Sequence, residues 1–170
     1  MTPVEPGPDP HQLNPDHLPS PFTAAEIRAG CPSGRTLRFR IERAGAEPVI
    51  RVSRYVEVDA EGAVQESWPE GLDGKRRSEP ERERSTWLEL QEHASFPRAI
   101  TERAEEELSI AAGRFACLRY TRTDPDAVWR FWFARELPGQ PVRYEREASG
   151  SIVLSATLME NISGQARPRS

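Results

Sequence analysis

Apolar and polar residues alternate along much of the first half of the chain, and this period of two predicts β-strands. Residues 36–42 are the clearest run, because every second residue is apolar and arginines lie between them. A second run over residues 48–58 places Tyr55 on its outward face, and residues 63–68 return as a third strand after a turn at Gly62. The inward-facing residues expected in the second strand are Ile50, Val52, Arg54, Val56 and Val58.

Residues 115–142 form the most aromatic part of the chain, with two of the four Trp and three of the six Phe. Two β-rich runs, 115–121 and 128–134, flank a turn sequence centred on Pro125, which is typical of a β-hairpin. A strand over 128–134 would be apolar on both faces, and such a strand is predicted to be central in its sheet. One face carries Trp129, Phe131 and Phe133, and the other carries Val128 and Trp132.

Three backbone constraints follow one another in residues 137–142. Pro138 fixes its φ near about −65°, and Gly139 can adopt the positive φ that a type II turn requires at its third position. Pro141 favours an extended conformation for Gln140. These constraints predict a rigid corner, after which the chain continues as a strand over 142–147. The corner either sets the register of that strand or forms the rim of a binding cleft.

Two short helices interrupt the strands, and each begins with a capping box. Thr23 pairs with Glu26 in the first box, and Thr86 pairs with Glu89 in the second. Phe96-Pro97 ends the second helix. Trp87, Leu90 and Ala94 have helical spacing, and this face of the helix is predicted to pack on the sheet.

Two other stretches allow alternatives. The Glu-rich composition of residues 98–110 favours a helix, but its apolar residues also fall on one strand face. We predict a strand over 104–110, because residues 111–114 then form a short turn into the aromatic stretch. Residues 71–84 are polar throughout and predict a solvated loop, with an anion-binding turn around Arg76 as the alternative. A last strand is predicted over 151–160.

The whole pattern predicts an α+β fold: a curved antiparallel β-sheet, or half-barrel, of about seven to nine strands with one or two short helices packed on it. This single domain is expected over residues 22–162. Residues 1–21 contain seven prolines and predict a disordered Pro-rich arm. Residues 163–170 predict a disordered tail.

Charge, apolar content and cysteine count argue against several classes of protein. The net charge is −4 and both signs are interspersed, which argues against a nucleic-acid-binding surface. No apolar run is long enough to span a membrane, and no secretory signal is visible, so a cytoplasmic protein is expected. Cys31 and Cys117 are too few for a disulfide framework, and we expect two reduced thiols.

No sequence motif for catalysis, for a cofactor or for a metal site occurs in the chain. We therefore expect no catalytic residues, no cofactor and no bound metal. His93 is the one histidine inside the predicted domain. The alternative function is accordingly a small enzyme that uses His93 as acid or base while arginines hold an anionic substrate.

Three segments carry a resemblance to a known family: WLELQEHASFP over 87–97, AAGRFACLRYT over 111–121 and FWFARELPGQPVRYE over 131–145. With the closing apolar strand they resemble uncharacterised bacterial proteins with a half-barrel similar to the LolA/LolB lipoprotein-carrier family. That resemblance implies a curved antiparallel sheet wrapped around a short helix. In the carriers, the concave side of the sheet takes an acyl chain.

The surplus of aromatic side chains in the central strand suggests a role in binding, since one core face does not need so many. We predict a non-enzymatic binding module that holds a small apolar ligand, or a hydrophobic segment of a protein partner, on the concave face of the sheet. The sequence leaves open which face that is. The candidate ligand-binding residues are Trp87, Trp129, Phe131, Trp132 and Phe133.

Overall fold

The structure, a computed structural model, describes residues 9–163. Residues 1–8 of the predicted arm and residues 164–170 of the predicted tail lie outside this range. The helices are α1 (Ala24–Gly30) and α2 (Trp87–Glu92), and a 3-10 turn follows at Arg98–Ile100. The strands are β1 (Thr36–Arg43), β2 (Val49–Val56), β3 (Gly62–Glu70), β4 (Glu81–Thr86), β5 (Thr101–Ile110), β6 (Gly113–Thr123), β7 (Val128–Ala134), β8 (Arg143–Ala148) and β9 (Ser151–Ile162).

The nine strands form one antiparallel sheet in the order β4-β3-β2-β1-β9-β8-β7-β6-β5. Hairpins between consecutive strands supply most of the pairings, and β1 pairs with β9 to join the two halves of the chain. The sheet is curved and open, with β4 and β5 at its edges. The predicted α+β half-barrel is therefore confirmed, and β7 lies inside the sheet between β6 and β8.

Both helices begin at the capping boxes that the sequence indicates. The Thr23 hydroxyl accepts a hydrogen bond from the Glu26 amide at 3.1 Å, and the Glu26 carboxylate accepts one from the Thr23 amide at 2.9 Å. Thr86 and Glu89 form the same reciprocal pair at 3.0 and 2.9 Å. These bonds satisfy amides that have no partner within the helix, which is why each helix begins where it does.

In β5, pairing with the neighbouring strand β6 overrides the local preference of the sequence for a helix. Thr101–Ile110 pairs with β6 along its whole length, from Thr101 opposite Arg122 to Ile110 opposite Gly113. The predicted strand is confirmed, and it begins at Thr101 rather than at residue 104. The ladder of hydrogen bonds to β6 outweighs the helical preference of the glutamates.

The predicted solvated loop over 71–84 is wrong in its last part, because β4 begins at Glu81 and pairs with β3. An edge strand exposes one side to water, so a strand of alternating Glu and Arg is compatible with pairing although it lacks an apolar pattern. Its arginines form ion pairs, each at 2.9 Å, with side chains of β3 and of the residues between β2 and β3: Arg82 with Glu57 and Glu66, and Arg84 with Asp59.

The two faces of the sheet differ in what covers them. The concave face carries both helices and the main hydrophobic core, which includes Tyr55 at 1% exposure. The predicted outward orientation of Tyr55 is therefore wrong. Ile50 and Val52 lie on the opposite, convex face, where they pack with Trp68 in a separate small cluster. Alternation shows which residues share a face, but in a strand buried on both sides it does not show which face meets the main core.

Residues 9–21 pack against the domain, which differs from the disordered arm expected there. The Leu18 amide donates to the Phe96 carbonyl at 2.9 Å, and the Tyr120 hydroxyl donates to the Pro19 carbonyl at 2.7 Å. The Gln91 side chain donates to the Pro10 carbonyl at 2.8 Å. Proline lacks a donor but keeps its carbonyl acceptor, so a Pro-rich segment can be held by donors that the domain supplies.

Candidate functional site

A cavity of about 240 Å³ opens on the concave face between α2, β7 and the corner over residues 137–142. We call it the apolar cavity. Its surface is mostly hydrocarbon and aromatic, and its walls come from both helices, from β2, β7 and β8, and from the corner. The lining residues are Ile27, Tyr55, Leu90, His93, Ala94, Phe96, Trp129, Phe131, Phe133, Gly139, Gln140, Pro141 and Tyr144.

Phe131 is the centre of the aromatic wall of this cavity. Its ring stacks on Phe96 with centroids 5.0 Å apart and on Trp129 with centroids 5.9 Å apart. Tyr144 completes the group at 6.3 Å. Phe131 and Trp129 are only half-buried, whereas Phe133 is 3% exposed and belongs to the core. The cavity is therefore an extension of the core to which solvent has access.

The five candidate residues from the sequence separate into two groups. Trp129, Phe131 and Phe133 line the apolar cavity together, because they share one face of β7. Trp132 and Trp87 do not line it.

Trp132 lies on the convex face of β7, where its indole N–H donates to the Glu106 carboxylate at 2.7 Å. The Arg143 guanidinium covers the same ring at 5.7 Å from its centroid. Trp87 is buried at the start of α2, and its indole N–H donates to the Asp59 carbonyl at 2.9 Å. Both indoles thus have structural contacts away from the apolar cavity.

The corner over residues 137–142 is fixed to the rest of the domain by Arg35. This side chain is 4% exposed and has no carboxylate partner among residues 9–163. Its guanidinium donates to the Pro138 carbonyl at 2.7 Å and to the Gly30 carbonyl at 2.9 Å. It also reaches the Asn161 side chain and the Cys31 sulfur, each at 3.1 Å. One buried cation therefore joins the corner to α1 and β9.

Gly139 has a positive φ of 128°, as the sequence predicts. A Cβ atom at this position would lie 3.2 Å from the Cys31 sulfur and 3.4 Å from the Arg35 guanidinium. Glycine is thus required here both for its backbone conformation and for the close approach of the buried side chains. The corner supplies Gly139, Gln140 and Pro141 to the cavity wall.

Two of the titratable groups behind this wall, Tyr55 and Cys31, are neutral at ordinary pH. Burial raises the pKa of the Tyr55 phenol, and the neighbouring Cys31 thiol raises it further. Burial also raises the pKa of the Cys31 thiol. Because the neutral forms are favoured in both residues, no thiolate or phenolate has to be desolvated when an apolar group fills the inner end of the cavity.

A second cavity of about 590 Å³ lies beside the apolar one, over β2, β3 and β4. We call it the polar groove. The two cavities share Leu90, His93 and Gln140, so they form one two-part cleft that continues across the concave face. The other lining residues of the groove are Arg51, Ser53, Gln65, Ser67, Glu81, Arg82, Glu83 and Ser85.

The charges of the polar groove are only partly balanced within the protein. Arg51 donates to the Ser67 hydroxyl at 2.9 Å and lies 3.8 Å from the Glu81 carboxylate. Glu83 lines the same groove, and none of the ion pairs within residues 9–163 includes it. The Gln65 amide nitrogen is buried without a hydrogen-bond partner in the same part of the chain. The groove therefore offers polar groups that the domain leaves unused.

His93 lies exposed at the junction of the two cavities, at the C-terminal end of α2. Its ring forms no side-chain hydrogen bond or ion pair with another residue of the described range. A general base normally lies within hydrogen-bonding distance of the group from which it takes a proton, and of a group that orients it. The alternative function as a His93 enzyme stays a prediction.

Residues 9–163 contain no group of three or more His, Cys, Asp or Glu side chains arranged to hold a metal ion. No helix in the same range has both the length and the apolar character needed to cross a bilayer.

Several residues of the cleft were not among the sequence candidates. Leu90 and Phe96 come from the region of α2. The helical spacing of Leu90 with Trp87 indicated a core face rather than a cavity wall, and Phe96 was interpreted only as part of the end of the helix. Gln140 lies in the corner, and the predicted rim of a binding cleft was the one signal that pointed to it. Tyr144 lies beyond the corner in β8, where no signal in the sequence indicated a cavity wall. No feature of the sequence pointed to the polar groove. Its residues are types that are common on protein surfaces, and they form one surface only after β2, β3 and β4 have paired.

Comparison with solved structures finds two similar chains. The crystal structure of MucB in complex with MucA(peri) matches with a TM-score of 0.58 and 13% sequence identity, over 83% of this chain and 54% of that chain. The crystal structure of MucB matches with a TM-score of 0.57, also at 13% identity and over 83% of this chain and 57% of that chain. This chain thus spans little more than half the length of the structures that it matches.

No family model matches the chain, and no curated protein matches it. The comparisons consequently rest on structure alone, at an identity too low to carry anything except the fold. Of the resemblance drawn from the sequence, they support only a distant similarity of fold, in this case to MucB.

Proposed function

We propose that this domain is a non-enzymatic binding module that holds a hydrophobic segment of a protein partner in the two-part cleft. The observation that carries the proposal is the direct continuation of the apolar cavity into the polar groove through Leu90, His93 and Gln140. A polypeptide segment needs both surfaces, since it combines apolar side chains with a polar backbone.

The size of the apolar cavity favours a side chain over a complete small molecule. Pockets that enclose a drug-sized ligand usually measure roughly 300–1,000 Å³. At about 240 Å³, the apolar cavity lies below that range. It suits one or two large apolar side chains that insert as anchors, and buried anchors of this kind supply most of the binding energy in protein interfaces.

The polar groove favours a polypeptide over an apolar ligand such as an acyl chain. An acyl chain would cover Ser53, Gln65 and Ser85 without giving them hydrogen-bond partners, and covering unpaired polar groups costs free energy. A peptide backbone carries a donor and an acceptor at nearly every residue, so it can pair with these side chains. The neighbour of similar fold that was solved in complex with MucA(peri) also supports a protein partner.

The proposal can be tested with short, fluorescein-labelled Ser/Gly peptides that carry a single Phe, a single Leu or no apolar residue. We expect the Phe and Leu peptides to raise the fluorescence anisotropy on titration with the full chain, and the peptide without an anchor to leave it unchanged. Palmitate added as a competitor tests the acyl-chain alternative. Preferential binding of palmitate, or equal binding of all the peptides, would contradict the proposal.

Substitutions on α2 provide a matched control. Leu90 is partly buried and lines both cavities, so Leu90→Trp should fill their junction and abolish binding of the Phe peptide. Leu88 lies on the same helix, is 49% exposed and lines neither cavity, so Leu88→Trp should bind as the parent does. Circular dichroism establishes that both variants are folded. Equal affinity of the two folded variants would place the binding surface elsewhere.

A further inference from the structure

We infer that the segment bound in the cleft carries a cationic side chain, Lys or Arg, about three residues along the chain from its apolar anchor, where it meets Glu83. This inference rests on the proposed function and adds the charge and the spacing of the partner segment.

A row of directly opposite residues connects the two parts of the cleft. Tyr55 of β2 lies opposite Gln65 of β3, and Gln65 lies opposite Glu83 of β4. Tyr55 lines the apolar cavity, while Gln65 and Glu83 line the polar groove. Residues opposite one another in antiparallel strands share a face. The row therefore marks the shortest path across the concave face from the apolar cavity toward the open edge at β4.

The length of this row sets the spacing in the partner. Neighbouring strands lie about 4.8 Å apart, so the path from Tyr55 to Glu83 covers roughly 10 Å. A segment in the polyproline II conformation advances about 3.1 Å per residue with about three residues per turn, so residues three apart cover that distance and point to the same side. The carbonyl groups between the two positions pass over Gln65, whose amide nitrogen has no hydrogen-bond partner among residues 9–163.

Charge complementarity identifies the group at the far end of the path. The other groove carboxylate, Glu81, has the Arg51 guanidinium 3.8 Å away, and the guanidinium of Arg82 is occupied by Glu57 and Glu66. Glu83 is thus the groove charge that the described part of the chain leaves unbalanced. A Lys or Arg of the partner balances it, whereas an Asp or Glu is repelled.

The test uses the Phe peptides with one further substitution three residues from the anchor: Lys, Ser or Glu. With the parent chain in low salt, we expect the Lys peptide to bind about three- to ten-fold more tightly than the Glu peptide, as for an exposed ion pair. Moving Lys next to the anchor should remove the advantage, and high salt should reduce it.

Charge reversal at Glu83 provides the decisive comparison. Glu83→Lys should invert the order, so that the Glu peptide binds more tightly than the Lys peptide. Glu79→Lys changes the net charge equally at an exposed loop position outside both cavities, and it should keep the parent order. Peptides that bind through Phe with no preference for charge or spacing would overturn this inference and leave the proposed function standing. Peptides that do not bind at all would overturn the proposed function itself.

Discussion

Gly139 shows at the scale of one residue how the cleft depends on local backbone geometry. Its φ of 128° is unfavourable for residues with a Cβ atom, and the nearest atoms around it are buried side chains rather than solvent. The sequence indicated the positive φ, because a Pro-Gly pair favours it. The close approach of Cys31 and Arg35 was not predictable, since these residues are more than a hundred positions away in the chain.

We expect Gly139→Ala to lower the free energy of unfolding by more than about 1 kcal/mol, because alanine resists this φ and its Cβ atom meets the Cys31 sulfur. Gly150→Ala is the matched control: Gly150 also has a positive φ, 78°, but no atom lies within 4 Å of the position of its Cβ. Denaturation by urea should therefore show the larger loss for Gly139→Ala. Equal losses would mean that packing at the corner contributes nothing.

At the scale of elements, the cleft is made by short connections that are held in place by long-range contacts. The corner over residues 137–142 has no regular secondary structure. Arg35 nevertheless fixes it to α1 and β9, because its guanidinium donates to the Pro138 carbonyl of the corner, to the Gly30 carbonyl and to the Asn161 side chain. A buried guanidinium without a carboxylate partner is costly to desolvate, so its hydrogen bonds must all be made for the arrangement to be stable.

Replacing Arg35 tests this connection. Arg35→Met keeps much of the side-chain volume but leaves the Pro138 and Gly30 carbonyls without their donor, and we expect a loss of about 2–4 kcal/mol in the free energy of unfolding. Arg40→Met, in the strand that begins directly after Arg35, removes an exposed ion pair with Glu42 and should change stability by less than about 0.5 kcal/mol. A small effect of Arg35→Met would show that the corner is held by backbone geometry alone.

The elements also show what sequence patterns can and cannot reveal. Capping boxes located both helices, because those hydrogen bonds are local. Period-two alternation put Trp129, Phe131 and Phe133 on one face and Trp132 on the other, as the structure does. It could not tell that β2 turns Tyr55 toward the main core, and β4 carried no apolar pattern at all, since it is an edge strand.

At the scale of the whole molecule, the concave face of the sheet has two regions of different character. Over β6–β9 it is covered by α1, α2 and residues 9–21, which complete a hydrophobic core. Over β2–β4 it carries polar side chains beside an open groove. The cleft lies where these two regions meet, and this position is a property of the assembled sheet.

The measurement that tests this account most directly is a two-dimensional ¹H–¹⁵N NMR titration of the full chain with the Phe peptide. The four Trp indoles and the Gln side-chain amides provide reporters on both faces of the sheet. We expect the Trp129 indole and the Gln65 and Gln140 amides to shift, because these groups line the cleft. The indoles of Trp68 and Trp132, on the convex face, should stay unchanged. Shifts confined to the convex-face indoles, or none in the cleft at saturation, would contradict the account.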